Sequence, residues 1–295
     1  MLKISRRAIF LLPVLLLLVS CGILPRNELA SDTGLLWRVE GKGIPVSYLF
    51  GTMHSEDPRV LALSSEVEFA FNSASSLVLE INFSDESRQY AVTSMFFQDG
   101  TRLSDLLSAT VYEQTLNLMS VRGLDEVRVS RMKPWAAFTL MNMPESKTGI
   151  YLDISLYQRA LGDGKEVLGL ETIQEQISTF DDMDMSTQVQ LLEGSLGKAK
   201  DFEKALQDTV ERYLSRDLNR LSELNEEFLE EMSPELAHTF RRRLIDDRNQ
   251  RMFSRLISLL PNQKYFVAVG ALHLPGDTGL IAQLRDAGFQ VTPVY

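Results

Sequence analysis

Two of the three histidines in this 295-residue chain occupy the same four-residue frame, Gly-x-x-His, at opposite ends of the sequence. The frames span residues 51–54 and 270–273, and they end in His54 and His273. Each frame follows a short apolar run rich in residues that favour strands, which is the composition of a buried strand. This repetition predicts a fold in which two strand ends come together and bring two imidazoles to one site.

Strand-like runs alternate with helical patterns along the rest of the chain. The runs predicted as strands are residues 35–39, 46–50, 77–79, 166–170, 265–269 and 289–294. The patterns predicted as helices are residues 58–72, 104–119, a segment opening at 133, 151–161, 279–287 and a long stretch at 186–260. The alternation predicts an α/β or α+β fold, with a central mixed sheet, flanking helices and a long helical insertion.

Two glutamates also follow predicted strands. Glu80 comes directly after residues 77–79, and Glu171 comes directly after residues 166–170. Because parallel strands present their carboxyl ends at one edge of a sheet, where ligands bind, these acids are expected beside the two histidines. Two imidazoles and two carboxylates are suitable ligands for zinc, manganese, cobalt or another first-row divalent ion. If three of the four bind the ion, the remaining carboxylate is available as a general base.

Each acid also has a purely structural interpretation. Glu80 lies between apolar neighbours, so its charge needs a partner, and an ion pair with a lysine or arginine would supply one. Glu171 precedes a predicted helix and could interact with the helix dipole. The third histidine, His238, lies in a charge-rich helical stretch and is expected on the surface.

The N-terminus has the pattern of a bacterial lipoprotein signal. Three cationic residues precede an apolar run at residues 8–20, which is shorter than the roughly 20 residues that span a bilayer. Residues 18–22, Leu-Val-Ser-Cys-Gly, resemble the lipobox, which implies cleavage before Cys21 and lipidation of its thiol. Gly22 favours transport to the outer membrane, where the protein would face the periplasm. A plain signal peptide and an uncleaved anchor are the alternatives.

Cleavage would leave a tether at residues 21–33 and a single domain at 34–295. Cys21 is the only cysteine, so the mature chain can form no internal disulfide, no thiolate metal site and no cysteine nucleophile. Removing residues 1–20 takes away three of 30 basic residues and none of 40 acidic ones, so the net charge changes from −10 to −13. An acidic chain of this kind argues against nucleic acid as a partner and leaves the lipid as the membrane contact.

Several segments carry specific patterns in a fixed order along the chain. They are residues 49–54, 77–80, 169–172 with Gln176, 248–249 and 269–276. Together they resemble the TraB/PrgY/GumN family, also called the TIKI-like proteins, from about residue 35 to the C-terminus. The resemblance implies a metal-dependent hydrolase core, similar in fold to erythromycin esterase-like proteins and to ChaN-like haem-binding lipoproteins. Eukaryotic members look like membrane-tethered metalloproteases that use both Gly-x-x-His motifs and an acidic residue.

Carried over to this sequence, the resemblance implies a peptidase-like hydrolase that acts on a peptide or small molecule. His54 and His273 would hold the divalent ion, and Glu80 would bind it or activate water, with Glu171 as a further candidate. Arg248 would stabilise developing negative charge, unless it forms an ordinary salt bridge. Asp153 is expected either to orient a ligand or to cap a helix.

Two other functions are compatible with the same residues. One is a non-catalytic lipoprotein that binds haem or a metal between the two histidines. The other is a metal-free, esterase-like hydrolase in which a histidine is the general base.

Overall fold

Six strands form one mixed sheet in the computed structural model, which describes residues 33–143, 147–196 and 202–295. The strands are β1 (Leu36–Glu40), β2 (Ser47–Thr52), β3 (Ser76–Leu79), β4 (Glu166–Gly169), β5 (Tyr265–Gly270) and β6 (Gln290–Pro293). Their order across the sheet is β4-β3-β5-β2-β1-β6. The predicted α/β architecture is therefore confirmed. The signal segment and Cys21 lie outside the described residues.

Four adjacent strands, β4, β3, β5 and β2, are parallel, and β1 alone among the six runs against its neighbours. β5 lies between β3 and β2, with Ala268 opposite both Leu79 and Phe50. All three of these side chains are buried. Burial on both faces explains why these strands are continuous apolar runs instead of alternating ones. Because β4, β3, β5 and β2 are parallel, their carboxyl ends form one edge of the sheet.

Helices pack around the sheet. They are α1 (Pro58–Leu61), α2 (Ser65–Ser73), α3 (Asp85–Ser94), α4 (Leu103–Leu106), α5 (Ala109–Val121), α6 (Glu126–Arg131), α7 (Pro134–Met141), α8 (Leu152–Gly162), α9 (Ile173–Asp181), α10 (Met185–Leu196), α11 (Phe202–Leu214), α12 (Leu218–Glu230), α13 (Pro234–Arg241), α14 (Asp247–Leu259) and α15 (Leu280–Asp286). A π-helical turn joins α13 to α14, and a short 3₁₀ turn follows β5. None of the helices in the described ranges is long and apolar enough to cross a membrane.

Two predicted helices are each divided by an internal serine. The stretch at residues 58–72 forms α1 and α2, because Ser64 accepts a hydrogen bond from the backbone N–H three residues later and caps α2. Ser108 does the same for α5 within the stretch at residues 104–119. Serine is a preferred N-cap residue, so a helix begins after it even where the apolar periodicity continues.

The long helical region contributes to both apolar clusters of the fold. Met252 and Leu256 of α14 pack into the core of the sheet, whereas Leu229 and Phe240 belong to a second cluster built mainly from helices. Because α14 packs on the sheet in this way, the residues at its N-terminal end lie at the edge where the parallel strands finish.

Candidate functional site

The two Gly-x-x-His frames lie side by side because β2 and β5 are parallel neighbours. Thr52 of the first frame pairs with Gly270 of the second. A Cβ atom on Gly51 would lie 3.1 Å from the Cα atom of Ala271, and a Cβ atom on Gly270 would lie 3.1 Å from Glu80 Oε1. Each frame therefore begins with glycine because another chain segment approaches its backbone closely.

Glu80 lies between the second frame and a guanidinium group. Its Oε1 atom accepts a 2.7 Å hydrogen bond from the Gly270 N–H and lies 3.7 Å from His273 Nε2. Its Oε2 atom accepts from Arg248 at 2.6 Å and from Gln176 at 3.1 Å. Burial by itself would raise the pKa of Glu80, but the charge of Arg248 and the Gly270 hydrogen bond hold it well below its usual range. Glu80 is therefore a carboxylate at neutral pH.

The tautomer of His273 follows from its neighbours. The side-chain amide of Asn249 donates to the Thr278 carbonyl at 2.9 Å, so its Oδ1 atom faces His273 Nδ1 at 2.6 Å. Because Oδ1 can only accept, Nδ1 carries the proton and Nε2 holds a lone pair. Burial lowers the pKa of His273 to about 4, although Glu80 opposes that shift. A neutral nitrogen and a carboxylate oxygen thus face each other with no proton to share.

A second pair lies beside the first frame. The side chain of His54 is 59% exposed, and its Nε2 atom lies 3.8 Å from Oδ2 of Asp153, a buried residue in the first turn of α8. The Thr52 hydroxyl donates to Asp153 Oδ1 at 2.7 Å. Sequence patterns gave no indication of this Thr52 contact, because it joins residues 101 positions apart.

The carboxylate of Glu171 is hydrogen-bonded to the guanidinium groups of Arg248 and Arg251. Its Oε2 atom accepts from Arg248 Nε at 2.8 Å and Nη2 at 2.7 Å, and its Oε1 atom accepts from Arg251 at 3.0 and 2.8 Å. Arg248 thereby bridges Glu171 and Glu80. This placement favours a positioning role for Glu171, through Arg248, over direct catalysis. The pair is buried, unlike an ordinary salt bridge on a helix surface.

The helical region supplies several of these contacts. Arg248 and Asn249 come from α14, and the Tyr213 hydroxyl of α11 donates to the Gly51 carbonyl at 2.8 Å. Helix α11 therefore contacts the first frame, and α14 contacts the second. The sequence does not indicate the role of Tyr213. His238 is exposed in α13, as expected, and takes no part.

The donor types at the sheet edge fit a divalent ion. Two atoms bound at about 2.1 Å to one tetrahedral ion are roughly 3.4 Å apart, which is close to the separations within the His273–Glu80 and His54–Asp153 pairs. The described residues nevertheless contain no group of three or more His, Cys, Asp or Glu side chains close enough to hold a metal together. The site thus consists of two donor pairs, not a closed ligand set.

The profile of the TraB/PrgY/gumN family matches residues 35–293. The chain belongs to this family. The matched region contains every strand of the sheet, both frames and both strand-end glutamates, so the family resemblance noted in the sequence is confirmed.

Curated relatives of this family member include animal proteins named as metalloproteases. The chain is 25% identical to Metalloprotease TIKI2 of Danio rerio over 311 aligned positions, which cover 87% of this chain and 60% of the relative. It is 24% identical to Metalloprotease TIKI1 of Homo sapiens, with 92% and 64% covered. The chain thus spans about three fifths of the length of these relatives. No solved structure matches it. These relatives support a distant relationship between the chain and metalloprotease-like proteins.

Proposed function

We propose that this protein is a metal-dependent, peptidase-like hydrolase whose site lies at the carboxyl edge of the sheet. The observation that carries the proposal is the buried pair formed by His273 Nε2 and Glu80 Oε1, which lie 3.7 Å apart while Asn249 occupies the other ring nitrogen. An imidazole nitrogen and a carboxylate oxygen at that separation are two donor atoms that one divalent ion can bind together. The TIKI relatives are named as metalloproteases, which supports the same class of activity.

Three residues would hold the ion. His54 and His273 would bind through their Nε2 atoms, and Glu80 would bind through Oε1 or accept a proton from water. Zinc, manganese or cobalt in this position would polarise a carbonyl group and acidify water. Glu80 stays ionised because its pKa is held low, so its charged oxygens are available to a cation at neutral pH.

Arg248 and Glu171 would act around these ligands. The Arg248 guanidinium lies next to Glu80 and would stabilise negative charge that develops on a carbonyl oxygen. Glu171 would fix the position of Arg248, since it accepts two hydrogen bonds from that side chain.

The cellular placement is a separate part of the proposal. A lipid on Cys21 would tether the domain to the outer membrane, facing the periplasm, where it would meet peptides or small molecules. Mass spectrometry of the mature N-terminus tests this. An N-terminal Cys21 that carries acyl chains supports the placement, and an unmodified Cys21 contradicts it.

Metal removal tests the proposed activity. The full-length protein in detergent, purified without a His-tag, is expected to cleave members of a peptide library, to lose that activity after exhaustive chelation, and to regain it with zinc, manganese or cobalt. His54→Ala and His273→Ala should be inactive under all conditions. His238→Ala is the matched control and should retain full activity, because His238 is exposed and outside the site. Undiminished cleavage after chelation would instead favour the metal-free mechanism.

A further inference from the structure

Asp153 presents an unpaired carboxylate oxygen toward the first histidine. Its side chain is 7% exposed, and its Oδ2 atom is buried without a hydrogen-bond partner in the described part of the chain. Among the described residues, the basic side chain within 4 Å of that oxygen is His54, whose Nε2 atom is 3.8 Å away. That separation is too long for a hydrogen bond.

The burial of this oxygen is unfavourable unless something binds it. A carboxylate without partners loses its hydration on burial, and proteins avoid this by pairing the charge or by binding a cation. An acid in the first turn of a helix gains a favourable interaction with the helix dipole even when it is exposed to solvent. The dipole therefore gives no reason for α8 to hold Asp153 buried.

The local structure also fixes the direction in which the oxygen points. Thr52 lies inside the first Gly-x-x-His frame, and its hydroxyl donates to Asp153 Oδ1. The same frame that carries His54 thus turns Asp153 so that Oδ2 faces that histidine. Because Oδ1 already accepts a hydrogen bond from Thr52, Oδ2 is the carboxylate oxygen that is available to bind a cation.

We infer that Asp153 is a ligand of the divalent ion and acts together with His54, so that the site binds the ion through two histidines and two carboxylates. This rests on the proposed metal-dependent function. It assigns the second carboxylate to Asp153, whereas the strand pattern pointed to Glu171, whose oxygens are both occupied by arginines. Two nitrogen and two oxygen donors are a suitable set for a first-row divalent ion.

Cobalt binding to Asp153→Asn tests the inference. In the metal-free, full-length protein in detergent, Co²⁺ is expected to bind about tenfold to a hundredfold more weakly to the variant than to the wild type. The visible spectrum of bound Co²⁺ should change, because one ligand is replaced. The melting temperature of the metal-free variant should equal or exceed that of the wild type, because the unpaired buried charge is gone. Asp153→Glu, which keeps the charge but moves the oxygen, should also bind Co²⁺ more weakly.

Controls separate this inference from the proposed function. Glu126→Gln removes an exposed acid from the first turn of α6 and should leave Co²⁺ affinity unchanged. If the wild type binds Co²⁺ and both Asp153 variants bind it equally well, Asp153 is not a ligand and the proposed function stands. A lower melting temperature with unchanged affinity would assign Asp153 a purely structural role. A wild type that binds no Co²⁺, Zn²⁺ or Mn²⁺ overturns both proposals.

Discussion

Replacing Glu80 with glutamine is expected to lower kcat/KM for a cleavable peptide about a thousandfold. Glutamine keeps the size of the side chain and can still accept from the Gly270 N–H, but it is neutral and cannot take up a proton. It also weakens the hold on an ion, because a carboxylate oxygen becomes an amide oxygen. The measurement is peptide cleavage at saturating metal, beside denaturant unfolding to show that the fold is kept.

The matched control is Glu68→Gln. Glu68 also forms a two-bond ion pair with an arginine, Arg159, at 2.9 and 2.7 Å, but it lies on α2, outside the site. This variant should keep kcat/KM within about twofold of wild type, because a partly exposed pair has little effect beyond its surroundings. If Glu80→Gln were as active as Glu68→Gln, Glu80 would be a structural partner of Arg248 and nothing more.

Replacing Arg248 with methionine is expected to lower the free energy of unfolding by about 3 kcal/mol or more. The Glu171 side chain is fully buried, and Arg248 donates two of the four hydrogen bonds that its carboxylate accepts from described residues. Without that guanidinium, both Glu171 and Glu80 become buried charges with fewer partners. Urea unfolding of the metal-free protein measures the effect.

A second substitution shows whether the charge causes the loss. Arg248→Met combined with Glu171→Met should recover part of the lost stability, because the Glu171 charge is gone and the remaining Arg251 is partly exposed, while Glu80 still lacks its guanidinium. Arg255→Met is the matched control and should cost only about 1 kcal/mol or less, since its pair with Glu175 is 41% and 29% exposed. A loss at Arg248 no larger than the loss at Arg255 would contradict the buried-pair account.

The strand-end pattern predicts the position of the site because it depends on local sequence. An apolar run followed by a Gly-x-x-His frame or directly by a glutamate indicates where a strand ends, and parallel pairing then brings His54, Glu80 and His273 to one edge. The sheet, its mixed character and the helical region are also predicted from apolar periodicity.

The partners of these residues could not be predicted from the same pattern. Glu171 follows a strand as Glu80 does, yet its side chain turns to Arg248 and Arg251, which lie about 80 residues later on α14. The contact of Asp153 with Thr52 likewise depends on where α8, which packs on β3 and β4, begins in the fold. Such contacts are set by tertiary packing, for which single-sequence periodicity contains no signal.

The metal content of the purified protein tests the central claim most directly. Full-length protein without a His-tag, analysed for elements beside the double variant His54→Ala/His273→Ala, is predicted to contain about one zinc, manganese or cobalt ion per chain, and the variant none. A wild type that holds no divalent ion, even after incubation with all three metals, would contradict the account. Haem titration, followed by the Soret band in wild type and variant, would then distinguish the haem-binding function from the metal-free hydrolase.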